Sequence, residues 1–498
     1  MTAIGTVVAT SDSPSLDNIE IILDRNDQLQ IERGQFVTVS KNNKQIVLGI
    51  ITGIKKYNAY YETLDSSIHE IASRNYDAIF PIKEWENTIA HVKPLGEINL
   101  ENGNINRLKY PVSPGSKIFI ATPSVVSQFL GLDENGIYWG DLASNNVKIR
   151  INLSRLLRKH LAILAISGAG KSYATSILLE ELVNIGKLAV LVIDPHGEYA
   201  NLVPSMAETK IEVVNGSFVS IGIPELSSWE ISEFIPEISV VQIRVLDSII
   251  TEIKKEKNNL YALQDLIRKI ETSETINIRT REALIGWLYS LQRTYLFSSE
   301  SSPNLLDLVQ PGKVVILDLS DIQNHRNRSI VVLHFLKRLY NLRIRGDIPP
   351  SLFVVEEAHQ FCPESSRSIS KRIIETIARE GRKFYTSLCL ISQRPVNLSV
   401  TAISQCNTNL ILRIRNPYDQ DFIGRISEGI DRSTLKMIPD LEIGEALLVG
   451  EAINFPTFFR IRSRKFQSKA SSLDLEKMAE KYKKEWLMKY NNTSITSE

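Results

Sequence analysis

The sequence predicts an α/β fold: a parallel sheet covered on both faces, preceded by a small β-rich unit and interrupted by a block of helices. Three observations predict it. From Leu161 onward, short continuous apolar runs alternate with longer helical stretches, the pattern of strands buried on both faces of a parallel sheet. Before that point, strand signals are short and separated by turn residues. Between Pro224 and Asn304 the alternation stops, and apolar residues recur at three- and four-residue spacing.

Composition sets the outer bounds. The 498 residues carry 58 Lys+Arg against 57 Asp+Glu, a net charge of +1, with 43% hydrophobic and 23% charged residues. At roughly 100–200 residues per domain the chain should hold two to four domains. The balance argues against coating nucleic acid by bulk charge. The three cysteines, Cys362, Cys389 and Cys406, form no CxxC, so neither a disulfide framework nor a zinc site is expected. Met1 to Asp17 lacks a basic stretch followed by an apolar run, and no apolar stretch approaches the ~18 residues of a membrane span. A cytoplasmic, soluble protein is the expectation.

Residues 1–125 are expected to form the first unit, from strands Ile4–Val8, Ile19–Leu23, Gln35–Ser40, Ile46–Thr52 and Lys117–Ala121 with turns at Asp24–Asp27 and Lys41–Lys44. Short strands with Gly turns suit a small barrel or sandwich. No catalytic constellation lies there, which suggests assembly or docking. The α/β core should occupy 126–223 and 310–465, with strands at Leu161–Ile166, Leu188–Ile193, Val314–Leu319, Leu352–Val355 and Ser387–Ile391. Helical stretches Glu225–Lys255, Leu260–Thr272 and Thr280–Leu296 mark an insertion over 224–309. A tail, 466–498, holds one helical segment, Leu473–Tyr490.

Ala165-Ile-Ser-Gly-Ala-Gly-Lys-Ser172 fits the phosphate-binding pattern G-x-x-x-x-G-K-[ST], with Ala165 where the first Gly usually stands. A strand precedes it and a helix follows. Gly168 and Gly170 let successive backbone N–H groups, with that of Ala169 between them, turn toward one anion, and the helix beginning near Lys171 adds its positive dipole end. Lys171 should reach the β- and γ-phosphates of ATP, and Ser172 should coordinate Mg²⁺. Thr175 reads as helix packing.

The strand ending at Val355 delivers Glu356 and Glu357. One carboxylate at such a strand end supports Mg²⁺ and the next polarises the attacking water. Glu356 is the metal-side residue and Glu357 the catalytic base in this reading. Another strand ends in Asp194-Pro-His-Gly-Glu-Tyr199. Asp194 and Glu198 stand where they could approach Mg²⁺ or the water, and Asp194 reads equally as a turn residue before Pro195. Gln393, at the end of Ser387–Ile391, is placed to sense the γ-phosphate. Arg379 and Arg382 have no evident role in their own pocket, so an arginine finger acting on a neighbouring subunit is expected, Arg382 ahead of Arg379 and Arg158 weaker.

Taken in order, Leu161–Ser172, Asp194–Tyr199, Val354-Val-Glu-Glu-Ala-His359, Ile377–Lys383, Ser392–Pro395, Asn407–Asn416 with Asp419-Gln420, and Gly444–Gly450 resemble the HerA family. These are archaeal hexameric DNA translocases of the HerA–FtsK branch of P-loop ATPases. The resemblance spans essentially the whole chain. It implies a RecA-like P-loop ATPase core, an N-terminal β-barrel like that of ATP synthase subunits, and a hexameric ring around duplex DNA. It also implies a NurA-type partner nuclease docked on the barrel, and DNA end resection alongside the archaeal double-strand-break nuclease–ATPase complex. Phe466–Tyr490 would brace neighbouring subunits. Lys171 and Ser172 carry over onto the phosphates and Mg²⁺, Glu356 and Glu357 onto the acidic pair, Gln393 onto the sensor, and Arg382 onto the trans finger. Two other readings remain: a ring clamped by ATP that only scaffolds a nuclease, and a conjugation-type DNA pump.

The charge is unevenly spread. Between Ser366 and Asn416 stand nine basic residues against only Glu375 and Glu380. Arg367, Lys371 and Arg372, just past the acidic pair, are expected to line the pore and touch DNA phosphates.

Overall fold

The computed structural model describes residues 3–24, 31–42, 45–58, 86–99, 104–200, 210–257, 260–465 and 479–485. The expected brace at Phe466–Tyr490 lies outside these residues except for 479–485, which are helical. Parts of the turns at Asp24–Asp27 and Lys41–Lys44 also lie outside them.

The N-terminal strands close into a barrel. In order around it run Ile19–Leu23, Gly5–Val7, Lys117–Ile120, Phe36–Asn42, Gln45–Tyr57 and Asn87–Asn99, and the last pairs back onto Ile19–Leu23. The barrel alternative is therefore the one adopted, and closure removes both sheet edges. Alternate residues fill the interior: Ile19, Ile21, Leu23, Val37, Val39, Val47 and Val92 are all buried. Asn87–Asn99, unmarked in the strand reading, supplies the closing strand. Its sequence interleaves charge and Pro94 with apolar residues, and its register slips between Leu48 and Gly49 of the partner strand. Such irregularity hides the period-2 signal.

An 11-stranded sheet forms the core. Seven strands run parallel: Ile211–Asn215, Val314–Asp318, Ala189–Asp194, Ser351–Val355, Thr386–Ser392, Leu161–Leu164 and Thr408–Ile411. Antiparallel strands Glu445–Gly450, Thr457–Ile461, Ile137–Leu142 and Val147–Ile151 extend it. Successive side chains feed opposite faces. Ala162, Leu164, Leu191, Ile193, Phe353 and Val355 join one apolar cluster, and Leu161, Ile163, Val190, Val192, Leu352 and Val354 the other. The insertion packs against the first face through Ile231, Leu246, Leu266 and Leu284.

The insertion differs from its expected helices at one point. Glu225–Lys255 is not one helical stretch but two helices, Ser228–Glu233 and Val240–Lys257. Pro236 sits between them, and a proline removes a donor and clashes with the preceding turn. Likewise, the helix that carries Arg379, Lys371–Glu380, ends one residue before Gly381, and Arg382 lies on the 3₁₀ turn Gly381–Phe384. The two arginines therefore do not share one regular helix face.

The barrel is keyed to the core by a buried amide. Asn145 Oδ1 accepts from the Phe36 N–H at 3.0 Å, while its Nδ2 donates to the Phe36 and Ala121 carbonyls at 3.0 and 3.1 Å. Phe36, Phe129 and Phe455 pack against one another with ring centroids 6.0–6.4 Å apart. Among the described residues, no helix is long and apolar enough to cross a membrane.

Candidate nucleotide site

Every carboxyl end of the parallel strands opens on the same edge of the sheet, the edge where α/β proteins hold ligands. Leu161–Leu164 runs there into the glycine loop. Gly168 has φ 75° and Gly170 φ 97°, values that a side-chain-bearing residue rarely adopts. These two positions turn the loop so that the helix Lys171–Ile185 starts directly at Lys171. Ala165, the departure from the motif, is fully buried, and its N–H donates to the Ser392 carbonyl at 3.3 Å. Its methyl is thus part of the strand packing rather than of the loop.

Three strand ends converge on Lys171. Its Nζ lies 2.5 Å from Glu356 Oε1 and 2.7 Å from Glu357 Oε1. Gln393, after strand Thr386–Ser392, donates its amide to the same Glu357 oxygen. His359 Nδ1 stands 3.3 Å from Glu357 Oε2 and 3.1 Å from Ser392 Oγ. Glu357 itself has φ 48°, a left-handed conformation that costs a non-glycine residue about 1–2 kcal/mol. The strain turns the chain sharply at the strand end and aims the carboxylate back at the glycine loop.

Ser172 Oγ donates to Glu198. Asp194 is fully buried and accepts from the N–H groups of Tyr199 at 2.8 Å and His196 at 3.2 Å. It therefore organises the 194–199 loop, as its turn-residue reading expects, at the edge where the P-loop lies. Tyr199, which the sequence reading quoted but gave no role, is fully buried and donates to Glu356 Oε2 at 2.8 Å. Thr175 is buried and bonds the Lys171 carbonyl at 3.1 Å.

The electrostatics follow from burial. Glu356 is pushed up to about 7 because it is buried, against the opposing pull of Lys171 and the Tyr199 hydroxyl. Burial would lower Lys171, but attraction to Glu356 and Glu357 outweighs it and holds the ammonium above its ordinary value. Burial raises Asp194 despite its backbone donors. It also lowers His359, against the opposing pull of Glu357. One ammonium is thus clasped by two acidic side chains at the end of the glycine loop.

The remaining candidates lie elsewhere. Arg382 is exposed and lines a surface pocket with Arg158, Leu188, Pro350, Ser351 and Ser387. Those residues mark the amino ends of the strands, about 16 Å from the acids by strand rise from Ser351 to Glu356. Arg379 is exposed on the adjacent helix. Arg367, Lys371 and Arg372 border a groove with His325, Arg326 and Glu375. Arg367 and Arg372 are exposed, but Lys371 Nζ donates to the Glu364 carbonyl at 3.0 Å and sits 4.0 Å from Glu375. Lys371 is thus largely engaged within its own chain.

A helicase named HerA from Pyrococcus furiosus is 30% identical over 495 residues, covering 88% of each chain. The chain belongs to the HerA family. The family's sequence profile, described as the central domain of helicase HerA, matches residues 137–339. The HerA helicase of Sulfolobus acidocaldarius is 28% identical over 89% of this chain and 91% of its own. The VirB4 structure of Thermoanaerobacter pseudethanolicus superposes with a TM-score of 0.53 at 18% identity, over 67% of this chain and 98% of that one, which supports the fold. Family membership, the RecA-like P-loop core and the ATP site make the chain an ATP-hydrolysing enzyme of the helicase and translocase class.

Proposed function

We propose that the protein is a ring-forming, ATP-driven translocase on duplex DNA, a cytoplasmic hexamer that works with a NurA-type nuclease in resecting ends at double-strand breaks. Several relatives carry double-strand break repair in their names. Mg²⁺·ATP binds the glycine loop. Lys171 holds the phosphates, and Ser172 with Glu356 would hold the ion. Glu357 orients water and Gln393 senses the γ-phosphate. The donors are hydroxyl and carboxylate oxygens, the set Mg²⁺ prefers, and that ion typically takes only one or two protein ligands beside phosphates and water. Bound there, it neutralises developing phosphate charge.

One observation supports the ring above all. Arg382 and Arg158 lie at the amino ends of the strands, at the edge away from their own nucleotide site. An arginine so placed can stabilise transition-state charge only in a neighbouring copy. The nuclease would dock on the barrel, which carries no nucleotide residues. The test is a mixing experiment. Arg382→Ala subunits titrated into wild-type protein should lower DNA-stimulated ATP turnover more steeply than dilution. A simple linear decline would refute action in trans, and turnover without DNA stimulation would favour a nucleotide-clamped scaffold.

A further inference from the structure

Tyr199 is the last residue of the Asp194–Tyr199 loop, and its side chain is wholly buried. Phenylalanine would fill the same apolar volume. The hydroxyl therefore needs its own explanation, because a buried donor must find a partner. Among the described residues it donates to no backbone carbonyl. It donates to Glu356 Oε2 at 2.8 Å, and the Thr175 side chain lies beside it. Thr175 belongs to the P-loop helix and is tied to the Lys171 carbonyl. The Tyr199 N–H, in turn, is held by Asp194 Oδ2 at 2.8 Å. One residue thus joins the loop after the second core strand to the first acid of the pair, beside the P-loop helix.

The geometry points to Tyr199 as a positioning residue for Glu356: its hydroxyl occupies one carboxylate oxygen and turns the other toward Lys171 and the metal–nucleotide site. Glu356 is itself fully buried, so its free oxygen has no solvent to orient it. Without the hydroxyl, Oε2 is a buried acceptor with no donor. The carboxylate is then free to swing both oxygens onto Lys171, where it is a poorer partner for a Mg²⁺–ATP complex. Groups that orient a metal-side ligand are commonly worth about 10–100-fold in metal affinity.

The inference rests on the proposed metal-side role of Glu356, and the test separates the two. Binding of a fluorescent ATP analogue is titrated with Mg²⁺ and, in parallel, measured in EDTA, using the full chain. Tyr199→Phe should raise the half-saturating Mg²⁺ concentration about 10-fold, while binding in EDTA stays near wild type. Its ATP turnover should recover at high Mg²⁺, a KM-like defect rather than a loss of kcat. Glu356→Gln should shift the same Mg²⁺ curve further. If Glu356→Gln shifts the curve and Tyr199→Phe does not, Tyr199 has no positioning role. If Tyr199→Phe weakens binding equally in EDTA, the hydroxyl is structural and the inference is overturned. If Glu356→Gln leaves the curve unmoved, the metal-side reading itself fails and takes the inference with it.

Discussion

Replacing Glu357 by glutamine tests the proposed division of labour between the two acids. Glu357 Oε1 receives both Lys171 Nζ, at 2.7 Å, and the Gln393 amide, while Oε2 faces His359 at 3.3 Å. Glutamine keeps the length and tolerates the left-handed backbone no worse than glutamate, so the loop should hold. It has no basic oxygen to accept a proton from water. Loss of a positioned general base costs about 10²–10⁴ in rate, or about 2.7–5.5 kcal/mol of barrier. Lys171 would meanwhile lose one of its two charged partners. A hydrogen bond to a charged group is worth about 1.5–3 kcal/mol, so freeing the ammonium leaves room for ATP affinity to rise by roughly tenfold. Single-turnover hydrolysis and equilibrium binding of a fluorescent ATP analogue measure the two effects separately. The expected pattern is trapped ATP: slow turnover with undiminished affinity. A turnover loss below tenfold, or turnover and affinity falling together, would refute the assignment of Glu357 as base.

Further outcomes are expected. Lys171→Ala should abolish both nucleotide binding and turnover in the same assays, since Lys171 is the cation that both acids face. Arg462 is buried between Glu180 and Glu181, with Nη2 3.0 and 2.9 Å from their carboxylates. Arg462→Met takes the guanidinium from those buried acids and leaves them backbone donors from Lys465 and Tyr138; it should cost about 3–5 kcal/mol in chemical denaturation, much of it recovered when Glu180→Gln and Glu181→Gln are added. His160 and His334 are each held down to about 4, by burial in both cases and by Arg338 as well for His334. Their folded values lie below the ordinary 6.5, so the unfolded chain binds protons first as pH falls. Stability is full above about 6.5 and drains between 6.5 and 4, by about 3 kcal/mol per histidine; His160→Gln should flatten that part of the pH–stability curve. Neutralising Arg367 and Arg372 together should lower the slope of log DNA affinity against log salt by about 2, and Lys371→Ala should move it less because its ammonium is engaged within the chain. An unchanged slope in the double variant would remove these residues from the DNA path.

Much of the site is legible along the chain because its parts are local. A glycine loop after an apolar strand and two acids at another strand end announce themselves in contiguous residues. The basic surplus after Ser366 is equally plain. Asn87–Asn99 escaped because a proline and register shifts break its alternation. The split at Pro236 could have been read, since a proline inside a helical period is a breaker by itself. Tyr199 and His359 had no readable signal of their own. A tyrosine or histidine is assigned a role by what it touches, and their partners are supplied by other strands.

The sequence by itself therefore determined the class: an α/β ATPase core, its phosphate loop, its acidic strand end and the family to which these belong. Tertiary structure alone decided how they meet. Lys171 and Glu357 are 186 positions apart, and the order of strands across the sheet brings them together. That same order sends Arg382 to the opposite edge, buries Tyr199 against Glu356, and locks Arg462 onto the P-loop helix. The reason is geometric. A motif is written in residues that neighbour one another in the chain, whereas a catalytic contact depends on which strand lies beside which.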